Sequence, residues 1–95
     1  MEQDQKPTLE SELFYRRVLA GQSLLVRRFP ESIPQQVRLA RFQLSLANCP
    51  GVRVDRTVRN RLIGKATTGL VRLPESVRSQ PEVLSMLRET NPLMD

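Results

Sequence analysis

Residues Ser32–Gly51 read SIPQQVRLARFQLSLANCPG, and the fold turns on how this stretch is taken. Ser32-Ile33-Pro34-Gln35 sets a capping serine three positions ahead of a glutamine and puts proline inside the first turn, where no helical hydrogen bond is lost. A helix over 33–48 is expected. At about 100° per residue, Ile33, Val37, Ala40, Leu44 and Ala47 fall within about 80° of one another, while Leu39, Phe42 and Leu46 form a second stripe. Arg38, Arg41, Ser45 and Asn48 take the remaining side. A helix apolar on two sides is sandwiched, either between neighbours in its own chain or against a second subunit, and Leu44 is its expected core residue. Pro50-Gly51 is the expected end.

Working outward, residues 1–7 are expected to be a disordered lead-in and 8–92 a single small helical domain. Thr8 before LESELF has the character of a cap with acids in the first turn, and Leu9, Leu13, Phe14 and Val18 recur at helical spacing, which predicts a helix over 9–20 ending or bending at Gly21. Leu24, Leu25, Val26 and Phe29 carry the apolar signal on to Pro30. Downstream, Asp55 caps a predicted helix over 56–63 that stops at Gly64, with Val58 and Leu62 inward and Arg56, Arg59 and Asn60 outward. Lys65–Gly69, KATTG, reads as a flexible link, and Leu70–Leu73 as short and extended. Ser79-Gln80-Pro81-Glu82 starts a last helix over 80–90, bearing Val83, Leu84 and Leu87 and closed by Asn91-Pro92.

The expected fold class is mainly α, a small bundle of about four helices, forming a dimer. Leu25–Ile33, LVRRFPESI, is echoed by Leu70–Val77, LVRLPESV, so two copies of a helix–extended link–helix repeat are one form this bundle takes; chance similarity of Arg- and Leu-rich segments is the other.

At 95 residues, one domain buries only about 60–65% of the surface its unfolded chain exposes, and the resulting thin core favours association. With no His, the usual Ser–His, Cys–His and zinc constellations cannot be assembled. The carboxylates show no pairing that sequence places in one pocket, and no Gly-rich phosphate loop is present, so no enzyme, cofactor or metal is expected. Cys49 is the single cysteine and has no partner for an internal disulfide. The polar, acid-rich MEQDQKPTLE is unlike a secretory or transit peptide, which makes a reducing cytoplasm the expected location, and no apolar run approaches a membrane span.

The net charge of +5 hides a pattern: residues 13–72 hold eleven Arg and one Lys against Glu31 and Asp55, between two acidic ends. Arginine outnumbers lysine thirteen to two, which suits planar, bidentate contacts to phosphate or carboxylate; a GC-rich genome also yields Arg in place of Lys. Aromatics, at 4%, are too few to supply stacking platforms for unpaired bases.

Leu46-Ala47, Gly51-Val52, Thr57-Val58 and Leu62 together resemble a helix-turn-helix DNA-binding motif over about residues 39–63, with the Ala-to-Gly spacing of four that the motif uses. The interval from Gly51 to Val58 is one residue longer than usual, and Pro50 stands where the first helix normally continues. The resemblance implies that Arg56, Arg59 and Asn60 face base edges, with Arg53, Arg61 and Lys65 beside them on phosphates; Arg to guanine and Asn to adenine are the common bidentate pairings. The resulting expectation is a small DNA-binding regulator of transcription or of replication and maintenance, a homodimer on double-stranded DNA with no membrane role. The alternative is a non-enzymatic interaction module, an adaptor or inhibitor, that binds an acidic protein through its basic surface and the 33–48 helix. A solvated basic face with no partner is the third reading of the same arginines.

Overall fold

The computed structural model describes residues 7–53 and 55–94, with side chains over 12–52 and 55–90. Its elements follow from the helix signals, extended in several places: α1 (Pro7–Arg28), α2 (Ile33–Ala47), α3 (Pro50–Arg53), α4 (Arg56–Val71), α5 (Glu75–Arg78) and α6 (Pro81–Met94). The described residues form a mainly helical fold and contain no strand.

The two-sided stripe of α2 makes it the central helix, with α1 and α4 both packing along it. Its apolar faces are packed within one chain, fully at Ala40, Leu44, Leu46 and Ala47 and partly at Ile33, Val37, Leu39 and Phe42. Leu44 is 5% exposed, and around it the core gathers Leu46 and Ala47 from α2, Val52 from α3, Leu62, Ile63, Ala66 and Leu70 from α4, and Val83 and Met86 from α6. At the other end of the charge scale, Arg41 of α2 pairs with Glu82 of α6.

Ser32 stands at the N-cap of α2 as its sequence suggests, but makes no side-chain capping bond. Gln35 is occupied elsewhere: its backbone carbonyl and side-chain oxygen accept from Gln22 Nε2 of α1 at 2.9 and 2.7 Å. Gln22 is nearly buried, at 4% exposed, so this fork satisfies an amide that burial would otherwise penalise and fixes how α1 lies on α2. Gln36 Nε2 donates to the Pro30 carbonyl across the corner between them. Asp55 behaves as expected, its carboxylate accepting from Val58 N at 3.3 Å at the start of α4.

Several boundaries are corrected. The first helix does not end at Gly21 but runs to Arg28, and Thr8 lies inside its first turn; of the lead-in expected over 1–7, Pro7 is helical and the remainder lies outside the described residues. Gly64 does not stop α4: Lys65–Gly69 and Leu70–Val71 are helical, so neither the flexible link nor the extended segment forms. The reason is burial. Ile63, Ala66 and Leu70 continue the packed stripe past Gly64, and that tertiary gain outweighs a glycine cost of about 1 kcal/mol. Asn91-Pro92 likewise fails to close α6, which continues to Met94. The LVRRFPESI and LVRLPESV segments are each a helix end followed by a proline corner, so the repeat with extended links is not what they form.

Candidate nucleic-acid interface

The sequence from Arg56 to Arg72 contains no acidic residue, and it folds as one helix with Arg72 as its C-cap. Two stripes of the same spacing divide it. Leu62, Ile63, Ala66 and Leu70 are buried, and Arg59, three residues before Leu62, shares their side and is half-buried. Arg61, Gly64, Lys65, Thr68 and Arg72 are all exposed and form a ridge about 16 Å long at 1.5 Å per residue. Arg56 and Asn60 are exposed on a flank of their own.

This arrangement divides the residues implied by the helix-turn-helix resemblance. Arg61 and Lys65 come together on the ridge, and Arg56 and Asn60 lie together beside it. Arg59 is the exception: it was expected to point outward with Asn60, but i, i+3, i+4 geometry sends it toward the helix's packed side. Arg53 belongs to α3, and its side chain lies outside those described.

Two residues that sequence reading passed over complete the basic surface. Arg72 follows Arg61 and Lys65 at helical spacing, a signal hidden by the expectation that the helix stopped at Gly64. Arg16, from α1, reaches the other end of the trough between α1 and α4, where it lies with Leu46, Val58, Arg61 and Lys65. Arg16 is held by Glu12, with guanidinium–carboxylate distances of 3.0 and 3.1 Å. Among the described residues, no carboxylate pairs with Arg61, Lys65 or Arg72. Uncompensated exposed cations on one ridge attract polyanions at long range and release counterions when they meet phosphate.

The connection that the resemblance treats as a glycine turn is built differently. α3 fills it, beginning at Pro50, and no described glycine has a positive φ. Ala47 of α2, Val52 of α3 and Leu62 of α4 are buried, and Val58 of α4 is half-buried. Compared with known families, curated proteins and solved structures, the chain matches none of them.

Proposed function

We propose that this chain is a small DNA-binding protein, serving as a regulator of transcription or of replication and maintenance, that engages duplex DNA through the outer side of α4. The observation that carries the reading is the ridge of Arg61, Lys65 and Arg72 on a helix without acids, with no carboxylate pairing them among the described residues. Arg61, Lys65 and Arg72 would hold phosphates, while Arg56 and Asn60 on the adjoining flank have the donor geometry for guanine and adenine edges. Scarce aromatic side chains favour a duplex over unpaired strands.

Fluorescence anisotropy with a labelled random duplex tests this reading. Binding that engages about four phosphates should weaken about a hundredfold between about 50 and 200 mM salt. A wild-type protein that ignores duplex DNA at low salt sinks it. In that event the basic ridge would be a docking surface for an acidic protein, and a pull-down with Arg61, Lys65 and Arg72 reversed to Glu is the next measurement.

A dimer is part of the proposal because α1 carries large apolar side chains that stay exposed among the described residues: Leu24 is 62% exposed, Phe14 57%, Leu13 54% and Phe29 52%. Such patches mark contact surfaces on soluble domains, and a second copy is the occupant proposed. Sedimentation at micromolar concentration decides this, and a monomer there removes the dimer while leaving the ridge intact.

A further inference from the structure

We infer that the groove between α2 and α4 is a phosphate subsite in which Gln43 donates to the anion and Lys65 and Arg72 neutralise it. The inference rests on the duplex-binding reading and adds to it the place where one backbone phosphate is gripped. Gln43 sits on the α4 side of α2 and is only 7% exposed, yet among the described residues its side-chain amide has no hydrogen-bond partner. Its amide atoms keep contact with solvent, since among the described residues only Arg78 Nε is sealed without a partner, so at the wall of an open groove the group is available to donate to an anion. Gln43 lines two adjoining hollows, both of which also contain Lys65, Gly69 and Arg72, and neither contains a carboxylate.

The glycines bear on the room available to such an anion. Gly64 and Gly69 lie inside α4 with helical backbone, so neither is needed for a left-handed turn, and a β-carbon on either would meet nothing within 4 Å. Glycine inside a helix carries a propensity cost that alanine would relieve without a clash. What the two positions provide is room above the helix backbone between Lys65 and Arg72, wide enough for a phosphate to approach closely. An amide donor, an ammonium and a guanidinium around one hollow form a donor-only set, the complement of a phosphodiester oxygen pair.

The test uses Gly69→Leu and Gln43→Met in the full chain, with thermal melting and duplex anisotropy measured side by side. Gly69→Leu fills the groove and removes a helix glycine; Gln43→Met keeps the size and removes the donor. Both variants should melt no lower than wild type and bind duplex about ten- to a hundredfold more weakly, the worth of a hydrogen bond to a charged group. Wild-type binding together with full affinity in folded Gly69→Leu overturns the subsite and leaves the duplex reading standing. Should wild type fail to bind duplex, titration with inorganic phosphate separates the two claims: a shifted Gln43 side-chain amide resonance supports the subsite as a site for free phosphate, and an unmoved one overturns it.

Discussion

Gly51 and Glu12 meet where α3 crosses α1: a β-carbon on Gly51 would stand 2.6 Å from Glu12 Oε1. The contact involves the far end of a flexible side chain, which has room to withdraw at the expense of its 3.0 Å pairing with Arg16. Gly51→Ala is therefore expected to cost no more than about 1 kcal/mol, since an exposed pair contributes little and alanine favours helix. In a Glu12→Ala background the same change should stabilise. A double-mutant cycle by chemical denaturation checks this, and additive effects would show that the two residues do not touch.

Leu44→Ala is expected to destabilise the fold by about 2–5 kcal/mol, because Leu44 is almost fully enclosed at the centre of the core. A thermal melt within a degree or two of wild type would contradict the packing of α2.

Gly64→Ala is expected to stabilise by about 1 kcal/mol and raise the midpoint of melting by about 4–8 °C. Its β-carbon meets open space and its backbone is helical, so alanine adds propensity without strain. A lowered midpoint would mean that α4 stops where the isolated sequence signal says it should.

Arg59 and Arg72 should respond in opposite ways. Arg59→Ala removes a half-buried side chain from the packed side of α4 and is expected to lower stability with little effect on the salt slope of duplex binding. Arg72→Ala removes a ridge cation and should leave the melt unchanged while lowering that slope by about one unit. The reverse pattern would return Arg59 to the outward face.

Cys49 gives the fold a dependence on alkaline pH. Burial pushes its thiol up, the Glu12 carboxylate adds to the rise, and Arg16 opposes it. The unfolded chain therefore sheds this proton first, so the thiol's contribution is fully present below the ordinary thiol range and is lost as pH climbs through the raised native value. Cys49→Ala should flatten the decline in stability above about pH 8.5. Alkylation of the native protein should be slow until it is unfolded, because Cys49 is 4% exposed and held protonated.

The central helix was legible because three independent signals coincide in Ser32–Ala47: proline in the first turn, apolar periodicity and a polar remainder. The Asp55 cap was legible for a similar reason. What the sequence hid was the length of α1 and α4, and both were shortened at a glycine, Gly21 and Gly64. Glycine ends a helix when the chain needs positive φ there, and no described glycine adopts it. The last cation of the ridge was lost with the second half of α4, since Arg72 joins Arg61 and Lys65 only if the helix continues. Gln43 gave no signal at all, because a polar residue beside an apolar stripe becomes informative only once its burial is known.

Among the described side chains, α1 supplies none of the buried apolar residues at the centre of the fold; Tyr15 and Leu19 only lean against it, and the one buried side chain of α1 among them is the amide of Gln22. Its attachment is a seam rather than a keystone. Two stabilities are therefore expected, one for peeling α1 away at the Gln22–Gln35 fork and a larger one for dismantling α2 and α4, the most extensively packed pair. Amide exchange should release α1 first and as a unit. A helix that detaches before the rest also exchanges readily between molecules, so concentrated protein heated gently is expected to trade α1 across copies before it unfolds.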